Sequence, residues 1–239
     1  MAYDFLDAYE KSWDALYKQK GFVLRHSIDP IIPLVSRTLD KKGIRSILSM
    51  PCGEFTNELH LMQQGIHVDG IDISPRALEL AEEKCRKAGL SNYSLGQGSV
   101  FDMTENNRQA ILCIDFFVQF PYSKIKEILR KFHTILIPGG MLFANFCDPS
   151  DSTFGVGKVI GRNEFLLPNG IMMKYTTKQK AEQLVINAGF HLRTAKKYTN
   201  KEKSHNSFRK GATNQSGEPY QEPAHTHVKH FMILEKAEP

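Results

Sequence analysis

The sequence contains no apolar run of the length that a membrane-spanning helix needs. That length is about 18 residues or more, whereas the hydrophobic 41% of the 239 residues is divided among short groups. The N-terminus, Met-Ala-Tyr-Asp-Phe-Leu-Asp-Ala-Tyr-Glu, is acidic and lacks the apolar stretch of a signal peptide. We therefore expect a cytoplasmic protein with no membrane partner.

Cysteine is scarce, and its spacing excludes the common cysteine-based sites. Cys52, Cys85, Cys113 and Cys147 form no Cys-x-x-Cys pair, so neither a zinc site nor a redox motif is indicated. His225 and His227 alternate as strand neighbours do, but a metal site needs a third ligand at suitable spacing. We expect four reduced thiols and no bound metal.

Neither sign of charge dominates. The 31 basic and 26 acidic residues leave a net charge of +5, and much of the excess lies near residues 196–210. This argues only weakly for a polyanionic partner, so nucleic acid is not expected. The length suits one domain that can bury its own core without disulfides or metals.

The most informative segment is Ile47-Leu-Ser-Met-Pro-Cys-Gly-Glu-Phe-Thr56, followed by Val68-Asp-Gly-Ile-Asp-Ile-Ser-Pro75. It predicts a strand, a turn with Gly53, a helix, and a second strand that ends in the acid Asp72. A helix start presents free N–H groups to an anionic ligand, and an acid about 20 residues on binds a ribose. The segment therefore predicts a nucleoside-containing cofactor at the carboxyl edge of a parallel sheet.

This segment resembles motif I of the class I S-adenosylmethionine-dependent methyltransferases, whose usual pattern is acid-x-Gly-x-Gly-x-Gly. Aligned on Gly53, Ser49 replaces the acid, Pro51 replaces the first glycine and Phe55 replaces the third. Proline can fix φ in a turn, whereas the ring of Phe55 stands where close packing would favour glycine. The resemblance is to a small-molecule methyltransferase with an atypical motif I.

The order of predicted elements supports the same resemblance. The turn Leu136-Ile-Pro-Gly-Gly140 resembles the family's Leu-Lys-Pro-Gly-Gly turn into its fifth strand. Alternating strands and helices predict an α/β fold with a doubly wound, mostly parallel, seven-stranded Rossmann-like sheet and a C-terminal antiparallel hairpin. We predict a helical cap over residues 1–43, a core over 44–239, and a polar loop at about 199–227.

The resemblance implies that S-adenosylmethionine is the cofactor. Asp72 would bind the ribose, Ile73 would lie beside the adenine, and Val100 would give a backbone contact to the ring. Ser99 stands where the family usually has an acid. The predicted cofactor-binding residues are Met50, Pro51, Cys52, Gly53, Asp72, Ile73, Ser99 and Val100.

The acceptor side is predicted from an aromatic stripe and from strand ends. Phe5, Tyr9, Trp13 and Tyr17 recur every four residues, which places them on one face of a helix. In the methyltransferases that this chain resembles, such a helix often covers cofactor and substrate. Asp115 is the candidate general base if the acceptor needs one. The predicted substrate-binding residues are Tyr9, Tyr17, Phe116, Asn145, Asp148 and Tyr175.

The resemblance thus implies methyl transfer to an oxygen, nitrogen or sulfur atom of a small molecule. Three alternatives stay open: a non-catalytic or repurposed methyltransferase fold, a methyltransferase of RNA or another macromolecule, and a nicotinamide-dependent oxidoreductase. The last is disfavoured because no Gly-x-Gly-x-x-Gly turn follows the first strand. A later segment with three glycines, residues 155–161, is interpreted as a flexible lid. The sequence does not indicate the acceptor or the oligomeric state.

Overall fold

The computed structural model describes residues 5–19, 27–104, 107–202, 212–213, 217–219 and 225–237. Its helices are α1 (Phe5–Tyr17), α2 (Ile32–Lys41), α3 (Glu58–Gln63), α4 (Pro75–Ala88), α5 (Tyr122–Ile135) and α6 (Lys178–Asn187), with a short 3₁₀ helix at Phe117–Gln119. Its strands are β1 (Ser46–Ser49), β2 (His67–Asp72), β3 (Tyr93–Gln97), β4 (Arg108–Cys113), β5 (Leu136–Cys147), β6 (Lys158–Gly161), β7 (Glu164–Leu166), β8 (Met172–Lys174), β9 (Phe190–Glu202) and β10 (His225–Lys236).

Seven strands form one twisted sheet in the order β3-β2-β1-β4-β5-β10-β9. The pairs among β1 to β5 are parallel, whereas β10 runs antiparallel to both β5 and β9. This arrangement confirms the predicted doubly wound sheet with its C-terminal antiparallel hairpin. The chain progression reverses between β1 and β4, and open α/β sheets bind ligands outside the carboxyl ends of strands at such a point.

Two apolar layers cover the sheet. One contains Trp13, Phe117 and Phe132, and the other contains Ile32 and Phe55, all buried. Helix α2 belongs to the second layer, so the predicted cap over residues 1–43 includes one helix that is part of the core packing.

Helix α4 shows how local chemistry sets an element. The Ser74 hydroxyl accepts a hydrogen bond from the Ala77 amide at 3.2 Å, Pro75 occupies the first helical position, and Gly89 ends the helix with φ of 66°. Each residue suits its position, since the cap accepts a free N–H, proline needs no donor there, and glycine tolerates positive φ. The cap places the start of α4 directly after Asp72.

A second, three-stranded antiparallel sheet in the order β6-β7-β8 was not predicted. The interpretation of residues 155–161 as a flexible lid is wrong for its second half, because Lys158–Gly161 is strand β6 and pairs with β7. The Gly157 amide also donates to the Thr213 carbonyl at 2.9 Å. This segment is therefore tied to ordered structure on two sides.

The polar loop of the C-terminal hairpin is shorter than the predicted 199–227. Thr199 pairs with Val228, and Glu202 pairs with His225, so both ends of the predicted loop are strand residues. Between the strands only residues 212–213 and 217–219 are described, and the rest of the prediction lies outside the described residues. Across the described chain, no helix combines the length and apolarity of a membrane span.

Candidate active site

A cavity of about 330 Å³ lies at the carboxyl ends of β1, β2 and β4, under helix α1. Its size falls within the usual range for small-molecule sites, about 300–1,000 Å³. Most of the predicted site residues line it, namely Tyr9, Tyr17, Met50, Pro51, Cys52, Gly53, Asp72, Ile73, Ser99, Val100, Asp115 and Phe116. The structure therefore brings all the predicted cofactor residues and half of the predicted substrate residues to one place.

The turn after β1 is joined to the end of β2 through Gly53 and Asp72. The Gly53 amide donates to Oδ2 of Asp72 at 2.8 Å, and the Ser74 amide donates to Oδ1 at 3.0 Å. Gly53 has φ of 52°, and a Cβ atom there would lie 2.9 Å from the Tyr17 hydroxyl oxygen. Both the backbone conformation and the space above it thus require glycine.

Burial changes the acid–base chemistry of this turn. Desolvation raises the pKa of Asp72 from 3.8 to about 6, although backbone N–H groups of Ser74 and Gly53 act in the opposite direction. Burial also raises the pKa of the Cys52 thiol well above its ordinary value, and the nearby carboxylates of Asp72 and Glu58 add to the effect. At neutral pH, Asp72 is therefore ionised, and Cys52 is a neutral thiol that acts as a small apolar side chain in the turn.

Pro51 and Phe55, which replace the first and third glycines of motif I, lie in different places relative to the cavity. Pro51 lines it and follows a cis peptide bond with Met50. Phe55 has φ of 61°, is fully buried, and packs in the other apolar layer, with its ring centroid 6.1 Å from that of Tyr93. The large ring at this motif position therefore leaves the cavity open.

Helix α1 supplies an aromatic wall. Tyr9, Trp13 and Tyr17 line the cavity, and both the Tyr9 hydroxyl and the Trp13 Nε1 donate to Oε1 of Gln119, the latter at 2.7 Å. Asp14, on another face of the helix, accepts a hydrogen bond from the Ser74 hydroxyl at 2.9 Å. The helix is thus fixed at two points over the site, while the side chain of Phe5 lies outside the described side chains.

Asp115 follows β4 in a left-handed conformation, with φ of 58°. Its Oδ1 accepts from Nδ2 of Asn145 at 2.9 Å, and its Oδ2 lies 2.8 Å from Nζ of Lys229. Lys229 is only 1% exposed, and its Nζ is also 3.5 Å from Oδ2 of the buried Asp29. Both carboxylate oxygens of Asp115 are therefore held by the protein, which favours an orienting role over that of a mobile base.

Three predicted substrate residues do not line the cavity, which differs from the expectation. Asn145 lies beneath Asp115, where its Oδ1 accepts from the Asp115 amide at 2.7 Å. Tyr175 is buried, and its hydroxyl donates to the Thr153 carbonyl at 2.8 Å. Asp148 binds His230 and Ser150. Burial acts to raise its pKa, but these hydrogen bonds prevail and lower it to about 2. Each side chain is engaged in holding loops rather than facing the cavity.

Other lining residues were not predicted. They include Glu58, Gln119 and Phe120, and Trp13 was noticed only as part of the aromatic stripe. The charges of the lining share one sign, since the ionisable carboxylates are those of Glu10, Glu54, Glu58, Asp72, Asp102 and Asp115. Of the described residues, no lysine, arginine or histidine lines the cavity. The site is therefore electrostatically suited to a cation and unsuited to a polyanion.

Two histidines of β10, His227 and His230, form pairs with acids. His227 Nδ1 lies 3.0 Å from Oδ2 of Asp151, and His230 Nε2 is hydrogen-bonded to Asp148. Within the described ranges, no three His, Cys, Asp or Glu side chains are grouped as metal ligands.

Comparison with known proteins agrees with this geometry. Residues 47–140 match a family model described as a methyltransferase domain. A structure from work on the conversion of a disulfide bond into a thioacetal group during echinomycin biosynthesis is 14% identical, with a TM-score of 0.66 over 97% of this chain and 91% of that one.

Two further similar structures are named methyltransferases. The 1,6-didemethyltoxoflavin-N1-methyltransferase of Burkholderia thailandensis is 14% identical, with a TM-score of 0.59 over 98% of this chain and 86% of that one. The magnesium protoporphyrin IX methyltransferase of Synechocystis is 11% identical, with a TM-score of 0.55 over 98% and 96%. These likenesses show a shared fold, and the family match lies on the segment that carries Gly53 and Asp72. Residues 47–140 are therefore similar to a methyltransferase domain, and the chain shares its fold with these methyltransferases.

Proposed function

We propose that the protein transfers a methyl group from S-adenosylmethionine to an oxygen, nitrogen or sulfur atom of a small molecule. The observation that carries this proposal is the acidic cavity at the switch point of the sheet, with the buried carboxylate of Asp72 beside the Gly53 turn. S-adenosylmethionine brings a positively charged sulfonium and an ammonium group, so its charge complements that lining.

The negative charge of the cavity lining also favours methyl transfer over the alternative of a nicotinamide-dependent oxidoreductase. A nicotinamide dinucleotide contains a diphosphate, which needs N–H donors or cationic side chains. Here the described part of the lining offers six carboxylates and no cationic side chain. A diphosphate in this cavity would meet charges of its own sign.

The proposed roles follow the positions of the residues. Asp72 accepts hydrogen bonds from the ribose hydroxyls, Ile73 and Val100 border the adenine, and Ser99 lies on the same wall. When bound, S-adenosylmethionine supplies a methyl group that is already activated by its positive sulfur. The protein's own task is then to align the reactants and exclude water, which is worth roughly 7–11 kcal/mol in favourable cases.

For the acceptor, we propose a small molecule that contacts the aromatic wall. Tyr9 and Phe120 have ring centroids 5.2 Å apart, and Phe116 and Phe120 have centroids 4.7 Å apart. These rings form a compact apolar surface beside Asp115, which we assign to orient the acceptor. Two structures of similar fold are methyltransferases named for small cyclic substrates, 1,6-didemethyltoxoflavin and magnesium protoporphyrin IX.

Calorimetry with S-adenosylhomocysteine tests the proposal directly. We expect saturable binding by the wild-type protein, at least tenfold weaker binding by Asp72→Asn, and no binding of NADH. Asp40→Asn, which makes the same chemical change at an exposed residue outside the cavity lining, is the control and should retain affinity. Tight binding of NADH, or equal binding by the Asp72 variant, would contradict the assignment.

Two alternatives have separate readouts. Cofactor binding without methyl transfer to any of a broad set of small acceptors would favour a repurposed fold. RNA binding that weakens steeply with added salt would favour a macromolecular acceptor. We also propose that helix α1, within the predicted cap over residues 1–43, covers the site, and that the protein works in the cytoplasm, where its four buried free cysteines would remain reduced.

A further inference from the structure

Gln119 has a buried amide side chain that makes three hydrogen bonds in the wall of the cavity. It is 6% exposed and belongs to the short 3₁₀ helix that follows β4. Its Oε1 accepts from the Tyr9 hydroxyl and from Trp13 Nε1, the latter at 2.7 Å, and its Nε2 donates to the Asp115 carbonyl at 3.0 Å. One side chain therefore joins helix α1 to the loop that carries Asp115.

The chemistry of the partners fixes the direction of this amide. An indole N–H can only donate a hydrogen bond, and a backbone carbonyl can only accept one. The carbonyl oxygen of Gln119 must therefore face Trp13, and its NH₂ group must face Asp115. A rotated amide would place donor against donor at Trp13 and acceptor against acceptor at Asp115, so both neighbours are satisfied in one orientation only.

Asp115 depends on such support because of its backbone conformation. Its φ of 58° lies in the left-handed region, which is costly for a residue other than glycine and persists only where the surroundings hold it. Side-chain amides hold both of its backbone polar groups, since Asn145 Oδ1 accepts from its N–H at 2.7 Å and Gln119 Nε2 donates to its carbonyl oxygen. Gln119 thus helps to set the backbone from which the Asp115 carboxylate projects.

Helix α1 makes a corresponding contact at the cofactor end of the cavity. Asp14 Oδ1 accepts from the Ser74 hydroxyl at 2.9 Å, and the Ser74 amide donates to Oδ1 of Asp72 at 3.0 Å. Asp72 ends β2, whereas Asp115 follows β4, so the two acids come from different strands. The helix thus contacts a hydrogen-bond partner of each acid.

We propose that Gln119 is a positioning residue that sets the conformation of Asp115 according to the place of helix α1. This inference rests on the proposed function, in which Asp115 orients the acceptor. The Tyr9 hydroxyl and the Trp13 indole fix the amide of Gln119, and that amide fixes the Asp115 carbonyl. The acceptor end of the site is therefore complete only with α1 in place over the cavity, and side chains of α1 shape it through Gln119.

A double-mutant cycle followed by hydrogen exchange tests this inference. Tyr9→Phe removes one hydroxyl and keeps the ring, whereas Gln119→Met removes all three side-chain bonds at similar size. By mass spectrometry of a peptide that covers residues 112–120, we expect faster exchange, about threefold for Tyr9→Phe and about tenfold for Gln119→Met, as the loss of one or more hydrogen bonds allows. In the Gln119→Met background, Tyr9→Phe should add less than twofold, because its bond is already absent.

Controls distinguish positioning from a general loss of structure. Exchange over helix α2, which packs in the other apolar layer, should stay within twofold of wild type in each variant, and melting curves verify folding. Gln179→Met makes the same chemical change at an exposed residue of α6 and should leave exchange over residues 112–120 unchanged. If Gln119→Met fails to fold, Tyr9→Phe and Trp13→Phe carry the test, since each removes one donor to Gln119 and should speed exchange over residues 112–120.

The possible results separate this inference from the proposed function. The exchange cycle needs no ligand, whereas calorimetry with S-adenosylhomocysteine tests the proposed function. If Tyr9→Phe leaves exchange over residues 112–120 unchanged, or acts equally with and without Gln119, the inference is overturned even where S-adenosylhomocysteine binds. If the two variants share one effect, Gln119 positions Asp115 as inferred. If wild-type protein then binds no S-adenosylhomocysteine, the proposed function fails alone.

Discussion

The ring of Phe55 occupies the space that a side chain at Gly70 would need. A Cβ atom added to Gly70 would lie 2.3 Å from Cε1 of Phe55 and 2.4 Å from its Cζ. Phe55 stands where motif I usually has its third glycine, and Gly70 lies in the adjoining strand β2. The glycine that permits close packing of turn and sheet is therefore supplied by the strand rather than by the turn.

This pair predicts a non-additive double-mutant cycle. Gly70→Ala should destabilise the protein by about 1–3 kcal/mol through overpacking. Phe55→Ala should cost about 3–5 kcal/mol through loss of a buried ring. In the double variant the new methyl group enters the vacated space, so the total cost measured by urea unfolding should fall below the sum by about 0.5–3 kcal/mol. Additive costs would show that the two residues do not share this space.

The ionisation of Asp72 predicts a pH dependence of cofactor binding. Burial raises its pKa to about 6, and only the ionised form accepts hydrogen bonds from both ribose hydroxyls. Affinity for S-adenosylhomocysteine should therefore fall as the pH drops through about 6. Calorimetry from pH 5 to 8 measures this, and Asp72→Asn should flatten the transition.

The same group affects folding with a defined sign. Because the pKa of Asp72 in the folded protein exceeds its ordinary value of 3.8, the folded state holds this proton more tightly than the unfolded state. The group favours folding below about pH 4, and its contribution to stability is lost as the pH rises to about 6. The Asp72→Asn variant should lack this decline in urea unfolding, and a decline of equal size in the variant would contradict the assignment.

Trp13 provides an intrinsic reporter of the site. It is the single tryptophan of the sequence and lines the cavity. We expect S-adenosylhomocysteine to change its fluorescence with the same dissociation constant that calorimetry gives. Trp13→Phe should remove the signal while calorimetric binding persists. An unchanged spectrum at saturation would place the ligand away from α1.

Lys229 compensates two buried acids, so its loss should be severe. Lys229→Met leaves Asp29 and Asp115 without this cation, and breaking a buried pair costs about 3–5 kcal/mol. The control is Lys197→Met on the neighbouring strand, because Lys197 is 53% exposed and lies 3.3 Å from Asp148. That exposed pair is worth at most about 1 kcal/mol. Similar losses in both variants would contradict a special role for Lys229.

The fold was predictable where its signals are local. The cap Ser74, the first-turn Pro75 and the stop Gly89 predict α4 from 75 to 88, and the helix observed is Pro75–Ala88. The small sheet of β6, β7 and β8 was missed because its strands have only four, three and three residues, too few for an alternating pattern to stand out.

The candidate site was likewise predictable only where its residues are linked by a local sequence pattern. Gly53 and Asp72 are joined by the strand, turn and strand pattern, and their hydrogen bond spans 19 positions. The bond between Lys229 and Asp115 spans 114 positions. No pattern in the sequence around either residue indicates that the two are partners. Asn145 was predicted to contact substrate, whereas it supports Asp115, because the sequence does not show which side chains of a strand end are covered by others.

Helix α1 forms one wall of the site, whereas the other walls come from strand ends of the sheet and the turns that follow them. A ligand bound beneath Tyr9, Trp13 and Tyr17 is covered by this helix, whose contacts with the body include the bonds to Gln119 and to Ser74. These bonds are made by side chains rather than by a strand ladder, so the wall that α1 forms is held less continuously than the walls that the sheet forms. On the proposed function, separation of the helix from Gln119 and Ser74 would widen the path by which cofactor enters and product leaves.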